Sequence, residues 1–223
     1  MTRILVCGDS YAVTDPAYPG LHWTELILNH SADFEIINLA YGGCSNALIA
    51  LQLSQGLRFR PDFVIFSFTA HGRYEFDKDP KAVPRSIDPW DVADYQLRRY
   101  TTNMYESNTE HTRRLIHYLD STASDNFEKI KNYFYIMYCL DRVNSLGLGF
   151  CYSLGGFEYQ QDYTMLLNEN YIANALQAYQ SRELLVNLWN HGQKKVPFFH
   201  VDDPSIQGLF ANQCISYITG DPT

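Results

Sequence analysis

Three short apolar runs alternate with amphipathic segments in the first third of the chain, and this alternation restricts the fold more than any other feature. The apolar runs cover residues 3–7, 34–38 and 62–68. Helical patterns occupy residues 20–29 and a stretch that follows the candidate N-cap Ser45 and ends near Gly56. The order strand, helix, strand, helix, strand predicts parallel strands joined by right-handed crossovers, as in an α/β domain.

The rest of the chain has a less regular pattern. Residues 73–91 carry charges and three prolines, and they predict a long irregular excursion of the kind that often covers a binding site. The other predicted elements are a loose helix at 91–105, helices at 110–119, 126–146, 171–191 and 204–218, and strands at 148–154 and 197–201. In the helix at 126–146, the predicted apolar stripe contains Phe127, Ile130, Phe134 and Met137. No linker marks a second domain, so residues 1–223 are predicted to form one domain with an insertion at about 73–125.

Composition excludes several classes of protein. A formal net charge of −8 argues against nucleic-acid binding, which needs clustered Lys and Arg. No apolar stretch has the length of a membrane span. The first apolar run is too short for a signal-peptide core, so a cytoplasmic protein is expected. The five cysteines lack zinc-ligand spacing and are predicted to be buried free thiols. Neither a GxGxxG segment nor a P-loop lysine is present, so no cofactor and no metal are predicted.

The first candidate site is Gly8-Asp9-Ser10, directly after the first predicted strand. In a parallel α/β sheet, ligands bind at the carboxyl ends of the strands. A serine exposed on such a turn acts as a nucleophile if a base lies near it. The same tripeptide is also compatible with a helix cap or a phosphate-binding turn.

A second candidate is the segment from Asn38 to Asn46, which follows the second predicted strand and contains Gly42 and Gly43. Two glycines before a helix N-terminus allow backbone N–H groups to point into a cleft, which is the geometry that an oxyanion needs. A tight turn that requires positive φ is the alternative interpretation.

Taken together, GDSYA near the start and NLAYGGCSN about three dozen residues later resemble blocks I and II of the SGNH (GDSL-type) hydrolases. The resemblance implies a flavodoxin-like three-layer α/β fold with a central parallel sheet and long insertions. It also implies hydrolysis of esters by a serine nucleophile. By this resemblance Ser10 is the nucleophile, the N–H groups of Ser10 and Gly43 are oxyanion donors, and Asn38 ties down the loop that carries Gly43.

Two blocks of the chain depart from the family pattern. Where the family places its oxyanion asparagine, after the third strand, this chain has His71, whose imidazole N–H can also donate. Nearby, Thr69, Arg73 and Glu75 resemble a run in phage-encoded relatives of the family, and with Tyr74 they are candidate substrate contacts. A phage-encoded relative would be virion-associated.

The second departure is the family's Asp-x-x-His, for which the chain has His200-Val201-Asp202-Asp203-Pro204. Either His200 reaches Ser10 as the general base and Asp203 or Asp202 orients it, or the triad is broken. An unperturbed carboxylate is a poor base for a hydroxyl, whereas a neutral imidazole is a suitable one. The other histidines, including His22 and His191, are interpreted as solvated or packed.

These observations predict a serine hydrolase that cleaves a carboxylic ester on a small lipid or carbohydrate. Ser10, His200 and Asp203 are its predicted catalytic residues. Ser10, Gly43 and His71 form the predicted oxyanion hole, with Asp9, Asn38 and Asp202 in support. The alternative is a catalytically impaired binding or structural protein with the same fold. A homo-oligomer stays open on the sequence alone.

Overall fold

The computed structural model describes residues 1–14, 18–70, 74–76, 100–102, 125–155, 175–192 and 201–220. In chain order its described strands and longer helices are β1 (Thr2–Gly8), α1 (Trp23–His30), β2 (Phe34–Asn38), α2 (Asn46–Gly56), β3 (Phe63–Phe68), β4 (Tyr74–Phe76), β5 (Tyr100–Thr102), α3 (Asp125–Ser145), β6 (Gly149–Leu154) and α4 (Pro204–Thr219). The predicted strands of the first third, the capped second helix and the final helix are therefore confirmed.

The central sheet of the described residues has the order β2-β1-β3-β6, and all its pairings are parallel. The chain passes from β1 outward to β2 and then returns across β1 to β3. The strand order therefore reverses between β1 and β3, and a crevice forms at their carboxyl ends, where α/β proteins bind ligands. Gly8 ends β1 and Phe68 ends β3, so the predicted site segments lie at this crevice.

The sheet is apolar on both faces, and alternate residues of each strand enter opposite cores. Leu5 and Cys7 of β1 pack on the side of α2 and α3, whereas Ile4 and Val6 pack on the side of α1 and α4. The three layers of the predicted fold are confirmed.

The helix ends follow known capping rules. Ser45 caps α2 by accepting hydrogen bonds from the backbone N–H groups of Ala47 and Leu48. Asp203 caps α4, whose first residue is Pro204. Gly147 closes the turn after α3 with φ 68°, a conformation that favours glycine.

The helix predicted at 171–191 is helical at residues 175–177 and wrong for the rest of the described part. Residues 178–192 contain short turns, including 3-10 turns at Gln180–Arg182 and Leu188–His191. Glu183 forms a parallel bridge with Tyr152, and Leu184 N–H donates to the Tyr152 carbonyl at 2.8 Å. Among the described residues this segment lies along the edge of β6 opposite β3, and the Leu184–Tyr152 hydrogen bond takes the place of an intrahelical one.

Two further predictions need correction. Tyr100–Thr102 pairs antiparallel with Tyr74–Phe76, so strands replace part of the loose helix at 91–105 and part of the irregular excursion at 73–91. The predicted apolar stripe of α3 is wrong at Phe134, which is 56% exposed, and correct at Met137, which is buried together with Tyr133, Ile136 and Leu140. The predicted helix at 110–119, the insertion as a whole and most of the strand at 197–201 lie outside the described residues.

All five cysteines lie in the described residues, where they are buried and form no disulfide bond, as predicted. None of the helices in the described part of the chain has both the length and the apolar character needed to cross a membrane. The described ranges likewise contain no group of three or more His, Cys, Asp or Glu side chains that could hold a metal ion.

Candidate active site

Ser10 lies on a tight turn, residues 8–12, which we call the Ser10 turn. Asp9 is fully buried, and its carboxylate accepts hydrogen bonds from Tyr11 N–H at 3.0 Å and from Ser67 Oγ of β3 at 3.5 Å. Ala12 N–H donates to the Asp9 carbonyl at 3.0 Å. Asp9 thus points inward and fixes the turn, and Ser10, the next residue, is half-buried.

The far side of the Ser10 turn is held by α1. The Tyr11 carbonyl accepts a hydrogen bond from Trp23 Nε1 at 2.9 Å and lies 3.1 Å from His22 Nε2. His22 Nδ1 lies 2.7 Å from Thr24 Oγ1 and accepts from Thr24 N–H at 3.3 Å, so the proton belongs on Nε2. Burial lowers the pKa of His22 to about 4. His22 is therefore a packed neutral residue that supports the turn.

The segment 39–44, which we call the glycine loop, folds against the Ser10 turn. Asn38 Nδ2 donates to the Ala12 carbonyl at 2.8 Å, while its Oδ1 accepts from Ala40 N–H at 2.9 Å. Gly43 has φ 77°. A Cβ on Gly42 would lie 3.9 Å from Ser10 Cβ. The structure thus places Asn38 and Gly42 against the Ser10 turn, and the role of the Gly43 N–H as an oxyanion donor stays a prediction.

Two carboxamide side chains of α2 form hydrogen bonds with the backbone at the ends of β1 and β3. Sequence reasoning missed both. Gln52 Oε1 accepts from Gly8 N–H at 2.7 Å, and its Nε2 donates to the Gly8 carbonyl at 3.2 Å. Asn46 makes the same kind of pair with Thr69, at 2.9 Å to its N–H and 2.8 Å to its carbonyl. Both are polar residues of a helix whose other buried positions are mostly apolar, and both are buried in the structure. Buried polar groups need hydrogen-bond partners, which here are backbone groups at the strand ends.

The predicted residues after β3 are only partly described. Thr69 is fully buried, and its Oγ1 has no hydrogen-bond partner in the described residues. Tyr74 and Glu75 belong to β4, whereas His71 and Arg73 lie outside the described residues. A substrate contact by these residues stays a prediction.

At the other end of the chain, Asp203 serves as the N-cap of α4. Its Oδ1 accepts from Ser205 N–H at 2.9 Å and from Ser205 Oγ at 2.6 Å. These two hydrogen bonds lower the pKa of this exposed carboxyl, so the carboxylate is a weak base. Asp202 is exposed beside it. His200 lies outside the described residues, and none of the hydrogen bonds among the described residues joins Asp203 to Ser10.

An aromatic pair beside Ser10 was also missed. Tyr11 stacks on Trp189 with ring centroids 5.0 Å apart and an interplanar angle of 28°. Asn187 holds this segment, because its Nδ2 donates to the Leu154 carbonyl at 2.9 Å and its Oδ1 accepts from Trp189 N–H at 3.0 Å. The nearby His191 contributes to the lowered pKa of Asp203, which puts an imidazole in the neighbourhood of the predicted carboxylate.

This combination of a parallel sheet, a strand-end serine turn and a packed glycine loop defines an SGNH-type α/β fold, and comparison with solved structures supports that class. A lipolytic protein of the G-D-S-L family from Veillonella parvula matches with a TM-score of 0.50 and 11% identity over 98% of this chain and 99% of that chain. The psychrotrophic esterase EstA from Pseudoalteromonas sp., in a structure inhibited by monoethylphosphonate, matches with a TM-score of 0.50 and 11% identity. The match covers 99% of this chain and 98% of that chain.

A third structure, that of TesA, matches with a TM-score of 0.52 and 11% identity over 98% of this chain and 99% of that chain. No family model matches the sequence, and a search of curated proteins gives no match. The resemblance to GDSL structures that the sequence predicted is therefore confirmed at the level of the fold.

Proposed function

We propose that the chain is a serine hydrolase that cleaves a carboxylic ester on a small lipid or carbohydrate. The observation that carries the proposal is the placement of half-buried Ser10 just beyond the end of β1, with the glycine loop packed against it at the crevice between β1 and β3. The related folds include a protein described as lipolytic and an esterase inhibited by a phosphonate. Phosphonates are tetrahedral mimics of the intermediate in ester hydrolysis, so they suit a serine nucleophile.

In the proposed mechanism Ser10 Oγ attacks the ester carbonyl while His200 accepts the hydroxyl proton. The N–H groups of Ser10 and Gly43, together with His71, donate to the oxyanion. Collapse of the tetrahedral intermediate expels the alcohol, which receives the proton from His200, and leaves an acyl group on Ser10. Water then attacks the acyl-enzyme with the same proton transfers and releases the acid. Asp203 or Asp202 orients the imidazole.

The second candidate is a binding protein that keeps the fold without the reaction. The engagement of Asp203 as a helix cap favours it, because both hydrogen bonds to Ser205 hold the carboxylate at the start of α4. A chain of this kind would keep the crevice and lack a base for Ser10.

The test is hydrolysis of p-nitrophenyl acetate and butyrate by the wild type, by Ser10→Ala and by Ser54→Ala. Ser54 is an exposed serine of α2 whose hydroxyl bonds to the Ala50 carbonyl and the Tyr138 hydroxyl, so it is a matched control outside the Ser10 turn and the glycine loop. We expect Ser10→Ala to lose activity by at least about 10³-fold and Ser54→Ala to keep it. Wild type and Ser10→Ala with equal rates would exclude the hydrolase, as would failure of a fluorophosphonate to add its mass to the wild type.

The identity of the base is tested by His200→Ala beside His191→Ala. Under the proposal the first variant falls to the level of Ser10→Ala and the second keeps its rate. The reverse pattern would transfer the role of base to His191, which influences the Asp203 carboxyl in the described structure.

A further inference from the structure

One side chain of α2 contacts both segments that form the candidate site. Gln52 is 1% exposed and pairs with the N–H and the carbonyl of Gly8, two residues before Ser10. Its Nε2 also lies 3.7 Å from Sγ of Cys44, the residue after Gly43. The Gly8 carbonyl in turn accepts from Cys44 Sγ at 3.2 Å and from Tyr41 N–H at 3.0 Å. Gln52 therefore lies at the junction of the Ser10 turn and the glycine loop.

This contact has a strong physical basis. A buried backbone N–H without an acceptor is costly, and Gln52 Oε1 supplies the acceptor for Gly8 at 2.7 Å. The amide group also donates through Nε2, so one carboxamide holds both peptide units that flank the Gly8 Cα. Rotation of either peptide unit would displace Ser10 relative to Gly43.

We propose that Gln52 is a positioning residue that sets the distance and orientation between Ser10 and the N–H of Gly43. The inference rests on the proposed function, because it assigns Gln52 a part in the same reaction. Gln52 does not contact substrate. It acts through the Gly8 peptide and Cys44, and misplacement of a nucleophile by about 1 Å costs up to about 10²-fold in rate.

The variant Gln52→Glu tests this role through pH. A protonated carboxyl keeps an acceptor for Gly8 N–H and an O–H donor for the Gly8 carbonyl, whereas a carboxylate has no donor and opposes that carbonyl. Burial raises the pKa of an introduced glutamate by up to several units, into the range where an esterase can be assayed.

The groups around Gln52 are compatible with such a test. The titratable neighbours from the packed elements are Cys7 of β1, Cys44 of the glycine loop and Cys139 of α3, and the charged neighbour along the chain is Asp9. Burial raises the pKa of the Cys7 and Cys139 thiols well above the ordinary value, so both stay neutral during the assay. A titration that appears in Gln52→Glu and is absent from both the wild type and Gln55→Glu is therefore assigned to the introduced carboxyl.

In Gln52→Glu, kcat should fall relative to the wild type as the pH rises. We expect kcat near the wild-type value at low pH and a loss of about 10-fold to 10²-fold as the carboxyl ionises, with KM changed by less than about 3-fold. The matched control is Gln55→Glu, which adds the same charge to the same helix at a half-exposed position and should keep the wild-type profile. If Gln52→Glu does not fold, Gln52→Met should lower kcat at every pH. A wild-type profile and kcat in either Gln52 variant would overturn the proposal.

A second measurement separates this inference from the proposed function. In ¹H–¹⁵N spectra of Gln52→Glu, the amides of Gly8, Ser10 and Gly43 should titrate together with one pKa, and in Gln55→Glu they should not. If the wild type lacks esterase activity, the hydrolase proposal fails while this titration still decides whether Gln52 couples the two segments. Amides of Ser10 and Gly43 that do not move would refute the coupling.

Discussion

At the scale of single residues, Gly8 is a tightly constrained backbone position of the candidate site. A Cβ at this position would lie 2.8 Å from Ser67 Cβ and 2.9 Å from Ala12 Cβ, closer than carbon atoms approach in packed proteins. Both neighbours are short side chains, so neither has a flexible end that could move aside. The glycine is required for close packing of the Ser10 turn on β3.

We therefore expect Gly8→Ala to destabilise the protein by about 1–3 kcal/mol through overpacking. The control is Gly208→Ala in α4, where an added Cβ meets nothing within 4 Å and alanine favours the helix by up to about 1 kcal/mol. Urea unfolding midpoints with unchanged m-values measure both effects. A Gly8→Ala protein as stable as the wild type would contradict the crowding.

The residues of the site differ in how far the sequence could predict them. Ser10, Asn38 and Gly43 were predicted because their types and spacing match a known pattern, and their roles in the reaction stay predictions. Gln52 and Asn46 were not, because each pairs with backbone far away in the chain, Gln52 with a residue 44 positions earlier and Asn46 with one 23 positions later. A local pattern can indicate that such a side chain is buried, but its partner is decided by the packing of α2 on the sheet.

At the scale of elements, the N-terminus of α1 depends on a neutral histidine. His22 caps the helix and supports the Tyr11 carbonyl, and burial lowers its pKa from 6.5 to about 4. Between these two values the unfolded chain binds a proton that the folded chain does not. Stability is therefore fully present above about pH 6.5 and is lost as the pH falls toward 4, by roughly 3 kcal/mol.

The variant His22→Asn keeps a capping oxygen and removes the titration. We expect its free energy of unfolding to depend less on pH between 4 and 6.5 than that of the wild type. His30→Asn, at the exposed end of the same helix, should retain the wild-type dependence. Urea titrations at several pH values provide the measurement, and equal slopes for His22→Asn and the wild type would refute this account.

The strands were predicted more accurately than some helices, for a physical reason. Strands buried on both faces give continuous apolar runs bounded by polar residues, and these runs are visible in the sequence. Leu184 and Leu188 have helical spacing and are both buried, yet they belong to an extended segment and a 3-10 turn beside β6. The sequence carries no signal that residues 183 and 184 pair with Tyr152 of β6, so it does not distinguish a helix from this pairing.

At the scale of the whole molecule, one sheet separates two cores and is shared by both. Leu53 of α2 is fully buried in one core, and Trp23 of α1 lies in the other. Since every central strand contributes to both cores, loss of packing on one side should destabilise the other as well.

We expect Leu53→Ala to cost about 2–5 kcal/mol and to shift the unfolding midpoints of circular dichroism and tryptophan fluorescence together. Leu51→Ala on the same helix, 37% exposed in the wild type, should cost less than about 1 kcal/mol. Separate midpoints for the two signals in Leu53→Ala would mean that the two cores unfold independently.

The overall fold could be predicted from the sequence because the alternation of elements and the two glycine-containing segments agree with each other. The relation between His200 and Ser10 could not be predicted from the sequence. The reversed order of His and Asp is compatible with His200 as the base or with a broken triad, and local spacing does not distinguish the two. The structure adds that Asp203 is the N-cap of α4.

The five buried thiols affect how the protein resists oxidation. In the folded chain all five cysteines are covered, and burial raises the pKa of Cys7, Cys139 and Cys214, so the reactive thiolate is suppressed. Unfolding exposes an odd number of thiols at once, and air oxidation can then join them into pairs that the native fold does not contain. The survival of the protein in an oxidising solution is therefore governed by how rarely it opens.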